Sequence, residues 1–250
     1  MGVRPRVLVA LLLLAGPLSA AAPDDPEEQF RQANELVRAG DYPKAIALYG
    51  QIADGGHESA SLYWNWAQAA SARGATGEAL WALLSAREQD PADRAVLRDI
   101  ERVRETANLD PAEIAPEPLS AAARWTRRFR LDVLALALFL VSLLAHVAGR
   151  LTGPGGASRA VTWTALGAGL LLAAPPVVGT FARPTGVVLR RGAPLLDAAS
   201  PTAEAVGTLR EGEVVPVLER SGGYVRVEDS SGARGWATAE DVRGLGARPR

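Results

Sequence analysis

Two long apolar segments near the middle of the chain dominate its pattern of hydrophobic and polar positions. Residues 131–149 and 160–182 each run for about twenty residues with few charges. An α-helix of that length crosses about 30 Å of hydrocarbon, so the pattern predicts two transmembrane helices joined by a short glycine-rich loop. Because two spans return the chain to its starting side, the flanking polar regions are predicted to share one face of the membrane.

The start of the chain has the pattern of a secretory signal. Arg4 and Arg6 precede a short apolar core, and small residues follow as far as Ala22. This order predicts a signal peptide over residues 1–22 whose removal leaves the rest of the chain exported. An uncleaved anchor helix is the alternative, although the apolar core is short for a membrane span.

Residues 26–109 contain a helix-pair repeat with a period of 34 residues. The residues that recur at this offset are Ala33 and Ala67, Gly40 and Gly74, Ala45 and Ala79, and Tyr49 and Leu83. The alanines allow paired helices to approach closely, and the glycines permit a turn with positive φ. The region resembles tetratricopeptide repeats, which are all-α arrays with a concave face. A further amphipathic helix over residues 92–109 is predicted to cover the open end of the stack, with Val96, Leu97, Ile100 and Val103 on its buried side.

The resemblance places one set of side chains on the concave face, where such repeats bind extended peptides. The candidates for this groove are Phe30, Asn34, Arg38, Trp64 and Gln68. Asn34 stands where some repeat proteins clamp a C-terminal carboxylate. The lysine that completes such a clamp is replaced by Phe30, so we do not expect that clamp here.

A linker and juxtamembrane segment is predicted over residues 110–130. Its first part is rich in proline, and an arginine cluster from Arg124 to Arg130 stands directly before the first apolar segment. Positive residues favour the cytoplasmic side of a membrane, whereas a signal peptide would export this segment. We give the signal peptide more weight. The alternative is an uncleaved N-terminus with both soluble regions in the cytoplasm.

Residues 183–243 change to short alternating segments separated by turn residues, which predicts a small all-β barrel. The predicted strands are 187–189, 193–196, 206–209, 214–218, 224–227 and 234–238. The sequence Gly223-Tyr224-Val225-Arg226-Val227, followed by Gly235-Trp236-Ala237, resembles a bacterial SH3-like domain. In that resemblance Tyr224 and Trp236 pack the barrel, and a position facing a ligand groove is the alternative for either residue.

Composition narrows the functional classes. The net charge of −1 argues against nucleic-acid binding through bulk charge, and the chain has no cysteine, which excludes disulfides and thiolate chemistry. The two histidines, His57 and His146, fall in different regions, and we find no arrangement typical of a catalytic or metal site. The carboxylates of residues 88–113 are interpreted as solvated helix faces. We therefore expect neither enzymatic activity nor a cofactor.

The order of signal peptide, helix-pair repeats, two spans and SH3-like barrel resembles the BatE-type proteins of the Bacteroides aerotolerance group. That resemblance implies a multidomain protein of the bacterial inner membrane with both soluble domains outside the cytoplasm. It also implies a scaffold in an envelope complex linked to stress tolerance. Its implied partners are membrane proteins with von Willebrand factor A domains and a MoxR-type ATPase. The competing hypothesis is a tether that binds peptidoglycan through the SH3-like barrel.

Overall fold

The computed structural model describes residues 25–110, 126, 129–153, 155–179 and 183–246. The predicted signal peptide over residues 1–22 and most of the predicted linker, including Arg124, lie outside these residues. Within the described residues the chain forms seven helices and a seven-stranded antiparallel sheet. The prediction of helical repeats followed by a small β domain is consistent with this architecture.

The elements follow one another in two groups separated by a helical hairpin. The helices are α1 (Pro26–Arg38), α2 (Tyr42–Asp54), α3 (Ala60–Ala72), α4 (Thr76–Gln89), α5 (Arg94–Thr106), α6 (Leu131–Thr152) and α7 (Gly156–Gly179). The strands are β1 (Thr185–Val188), β2 (Ala193–Leu196), β3 (Ala205–Leu209), β4 (Val214–Ser221), β5 (Tyr224–Glu228), β6 (Arg234–Thr238) and β7 (Val242–Gly244).

Helices α1 to α4 form two antiparallel pairs that stack on each other. The alanines that recur with the repeat are buried at the contacts, each no more than 1% exposed: Ala33, Ala67, Ala45 and Ala79. Gly40 and Gly74 take φ values of +79° and +76° in the turns within each pair, as the repeat predicts. Most helix starts carry their own cap; the Ser59 hydroxyl, for example, accepts the Leu62 N–H at the start of α3.

Helix α5 covers the open end of this stack, where the sequence predicts an amphipathic helix. Val96 and Ile100 are buried against α4, but Leu97 is 39% exposed. The assignment of Leu97 to the buried side is therefore wrong, because an i, i+4 stripe is enough to cover the end of the stack.

The β domain is a strongly bent sheet with the strand order β3-β2-β6-β5-β4-β1-β7. Its core consists mainly of valines and leucines, among them Val188, Leu195 and Val227. Strands form at all six predicted positions; 193–196 and 234–238 match their predicted bounds, and the ends of the other four differ by at most three residues. The sequence did not predict β7, which has only three residues but pairs with β1.

Helices α6 and α7 pack against each other as an antiparallel hairpin. The position of a Cβ on Gly169 would lie 3.3 Å from the Phe139 ring, so the glycine permits the close approach of the helices. The Ser142 hydroxyl donates to the backbone oxygen of Thr162 across the interface (2.9 Å). The outer faces expose large apolar side chains: Leu134, Leu136, Leu140, Leu143, Leu144 and Leu151 on α6, and Trp163, Leu170, Leu171 and Val177 on α7.

By length and composition, one helix in the described parts of the chain could cross a membrane. It spans Leu131–Leu151, and only 17% of its most apolar window is buried by the rest of the protein. The sequence predicts two spans, and this helix accounts for the first, residues 131–149. The second, residues 160–182, stays a prediction.

Candidate functional site

The candidate groove residues of α1 converge on one tyrosine of α2. Phe30, Asn34 and Arg38 are spaced four residues apart and share one helix face. The Phe30 and Tyr49 ring centroids are 6.0 Å apart, and the Tyr49 hydroxyl donates to the Asn34 amide oxygen at 2.6 Å. Burial raises the pKa of Tyr49 to about 12, and nearby Arg38 opposes that shift. Phe30 and Asn34 thus contribute to helix pairing, whereas the Arg38 side chain stays exposed.

The candidate groove residues of α3 are joined by a carboxylate of α5. The Trp64 indole N–H and the Gln68 amide both donate to Asp99, at 2.9 and 3.2 Å, and Arg102 pairs with its other oxygen. The Asp99 side chain is only 14% exposed. The interpretation of the carboxylates of residues 88–113 as solvated is therefore wrong for Asp99, because that interpretation cannot recognise a partner 31 or 35 residues away.

The two aromatic candidates of the β domain lie outside its core. Val225 and Val227 of β5 point into the core, so Tyr224 and Arg226 belong to the opposite face. Trp236 of β6 lies opposite Arg226 of β5 and therefore shares that face. The side chains of Tyr224 and Trp236 are both half-buried there. The expectation that the two aromatics pack the barrel is not met, because neither belongs to the buried core, which valines dominate. The alternative, a position facing a ligand groove, stays a prediction.

The β domain docks directly on α4 of the helical repeats. A Cβ on Gly77 would lie 2.3 Å from the backbone oxygen of Val188 and 2.8 Å from the Cα atom of Leu189. Val187 and Val214 of the barrel join the same buried apolar cluster as the repeats. The two modules therefore share part of one core, and only a glycine fits at the point of closest approach.

The turn between β3 and β4 supplies hydrogen-bond partners to two helix ends of the repeats. Helix α4 lacks a side-chain cap of its own at Ala75, and Glu211 of the barrel accepts the Gly77 N–H at 2.9 Å. The Arg210 guanidinium donates to the backbone oxygen of Asn108, just beyond the end of α5, at 2.9 Å. Because helix ends leave unpaired backbone groups with partial charge, an acid at one end and a base at the other are both favourable.

An arginine of β7 fills an aromatic box on the repeats. The Arg243 guanidinium carbon lies 4.6 Å from the Trp81 ring centroid and 5.6 Å from that of Trp66. Glu78 accepts the Trp66 indole N–H at 3.0 Å and stands 3.9 Å from Arg243, while the Trp81 indole N–H donates to the backbone oxygen of Gly244. Tryptophan and arginine side chains that stack and form hydrogen bonds are typical of the residues that contribute most of the binding energy in protein interfaces.

Beside this contact lies a cleft of about 710 Å³ with walls from both modules. Small residues of α2, including Ala47 and Gly50, form one wall, and Val242 of β7 forms part of the other. Tyr63 and Glu58 line one end of the cleft, and burial together with the nearby Glu58 carboxylate raises the pKa of Tyr63. Sequence reasoning missed this site, since neither module forms it alone. The one local sign was Gly77, an unfavourable helix residue.

Comparison with known proteins identifies the C-terminal module. Residues 191–243 match the family model described as "Bacterial SH3 domain". No curated protein and no solved structure matches the chain. The family match does not extend to the helical repeats or the hairpin, so the resemblances to tetratricopeptide repeats and to BatE-type proteins stay predictions. The chain therefore carries a bacterial SH3 domain that packs on a layer of paired helices.

Proposed function

We propose that the protein is a membrane-anchored scaffold for protein–protein interactions and carries no catalytic activity. The observation that supports this most strongly is the docking of the bacterial SH3 domain on the helical repeats. The two share part of one buried core, and the apolar hairpin joins them in sequence. Arrays of helix pairs commonly present such surfaces to partner proteins.

The docking also bears on the number of membrane crossings. The repeats precede the apolar helix α6 and the SH3 domain follows α7, yet the two modules share buried contacts through Gly77. Such contacts need both modules on the same side of a bilayer, which supports an even number of crossings. We therefore propose that α7 crosses back after α6, and that its exposed leucines face lipid.

The proposed cellular location, biological role and partners come from the resemblance to BatE-type proteins. In that view the hairpin lies in the bacterial inner membrane with both modules outside the cytoplasm, and the complex contributes to aerotolerance or stress tolerance. Membrane proteins with von Willebrand factor A domains and a MoxR-type ATPase are its proposed partners. This part depends on the order of segments in the sequence.

Membrane topology can be read from reporter fusions. We expect alkaline phosphatase to be active when fused after Asp110 or Arg250, and a fluorescent protein that folds only in the cytoplasm to fluoresce after Gly155. The fusions at Asp110 and Arg250 are expected to give the same signal, because docking requires both modules on one side of the membrane. Unlike reporters at Asp110 and Arg250 would contradict the hairpin. Cytoplasmic signals at both ends would keep the hairpin but reverse the proposed orientation.

The scaffold role can be tested by photo-crosslinking in the intact envelope. We expect a photoreactive amino acid in place of the exposed Arg38 to give discrete crosslinks to membrane proteins, because Arg38 stands on the proposed partner face. The same substitution at Gln51, an exposed residue on the other helix of the pair, serves as the matched control. Equal crosslinks at both sites, or none at Arg38, would be evidence against a binding face on α1.

The outer face of the SH3 domain supports the second candidate function, a tether to peptidoglycan. Tyr224 and Trp236 are diagonal neighbours on β5 and β6, and aromatic side chains at that spacing can form one platform. Full-length protein in detergent should then sediment with insoluble cell wall, and Trp236→Ala should prevent it. Sedimentation that depends on Trp236, without crosslinks at Arg38, would favour the tether over the scaffold.

A further inference from the structure

The cleft between the repeats and the SH3 domain has the dimensions of a binding site. Its volume of about 710 Å³ falls within the range of about 300–1,000 Å³ that is typical of ligand pockets. Because its walls come from α2, α3 and α4 on one side and from β4, Ala239 and β7 on the other, the cleft exists only when the two modules are docked.

The wall of the cleft formed by α2 consists largely of small apolar residues. Ala47, Gly50 and Ala53 lie on one face of α2, where the lack of bulk leaves the space open. A Cβ on Gly50 would lie 3.6 Å from the Trp66 ring, an ordinary contact distance, so the α2 wall lies close to the aromatic floor. The Trp81 ring continues the floor toward the barrel. Walls of this kind favour a bound segment with small or aliphatic side chains.

The charges of the cleft are unevenly distributed. Asp54 and Glu58 stand at the end formed by the turn between α2 and α3, and within the described residues neither forms an ion pair. Glu58 accepts a hydrogen bond from the Gln89 amide. Two arginines of the SH3 domain also line the cleft: Arg243 is held against two tryptophan rings and Glu78, and Arg220 of β4 forms no ion pair with either carboxylate. This end of the cleft therefore presents two carboxylates with capacity for a cation.

We propose that this cleft binds a segment of a partner protein that places a lysine or arginine between Asp54 and Glu58 and lays small or aliphatic residues along the α2 wall. Charge complementarity specifies the basic residue, and the alanine and glycine wall limits the size of its neighbours. The proposal rests on the scaffold function above, for which it names a binding site and the chemistry of the partner.

Peptide libraries test this proposal with the full-length protein in detergent micelles. Four hexapeptide libraries are immobilised. They are identical except for one central residue, which is lysine, arginine, norleucine or glutamate. We expect the lysine and arginine libraries to retain at least about tenfold more protein than the norleucine and glutamate libraries, as a hydrogen-bonded charge pair allows. Asp54→Asn combined with Glu58→Gln should abolish the difference.

The matched control is Glu27→Gln combined with Glu105→Gln, which removes the same charge from exposed positions outside the cleft. Equal retention by all four libraries would overturn the proposal, and so would a preference for basic peptides that survives the Asp54 and Glu58 substitutions. The crosslinks at Arg38 test the scaffold function independently of the cleft proposal. If those crosslinks persist while the library preference fails, the scaffold stands and the cleft proposal falls.

Discussion

Gly77→Ala is expected to separate the SH3 domain from the helical repeats. The added methyl group would meet the backbone oxygen of Val188 at 2.3 Å and the Cα atom of Leu189 at 2.8 Å. Both are backbone atoms and cannot rotate away as a flexible side chain could. Relieving the overlap requires the barrel to move, which also disrupts the bond from the Gly77 N–H to Glu211. We expect the docked state to lose about 3 kcal/mol, at the upper end for overpacked sites.

The chain has no native cysteine, so two introduced cysteines can carry spin labels at defined sites. Labels at the exposed residues Ser61 and Ser221 report the distance between the modules. A single narrow distance distribution is expected for the parent protein and a broad one for Gly77→Ala. Gly50→Ala is the matched control, because its Cβ makes only an ordinary contact and alanine favours the helix. A narrow distribution in Gly77→Ala would show that the interface is not closely packed.

Asp241→Ala is expected to destabilise the SH3 domain itself. Asp241 is fully buried, accepts a hydrogen bond from the Thr238 hydroxyl at 2.7 Å and pairs with the Arg190 guanidinium through its other oxygen. These bonds tie the turn before β7 to the end of β1. Removing the carboxylate leaves its donors without their acceptor, which costs about 2–3 kcal/mol when one partner lies in a buried site. We set the loss at the lower end because Arg190 is largely exposed.

Hydrogen exchange of the full-length protein measures this effect locally. Amides of β1 and β5 should exchange faster in Asp241→Ala, by the factor that corresponds to the lost free energy, while amides of α1 should not change. Asp241→Asn keeps an acceptor for Thr238 and should lose about half as much. Glu240→Ala alters an exposed neighbour and should cost only a few tenths of a kcal/mol. Equal exchange in all three variants would contradict a structural role for Asp241.

Features with a local cause were predictable from the sequence. The 34-residue period indicated paired helices, since small residues at fixed offsets mark close helix contacts, and Gly40 and Gly74 indicated their turns. Alternating valines indicated the barrel strands, although β7 is too short for alternation to show. The candidate site was only partly predictable. Trp64 and Gln68 do share one environment, but the residue that joins them, Asp99, was interpreted as solvated.

The sequence by itself determined the order of the elements, the apolar character of α6 and the helix faces that pack within each pair, because these depend on neighbours within a few turns. The tertiary structure decided where buried charges such as Asp241 find partners and that an arginine of β7 enters an aromatic box of the repeats. It also decided that a helix without its own cap receives one from Glu211, 134 residues from Gly77. No periodicity records such contacts, because each depends on how two separately folded surfaces meet.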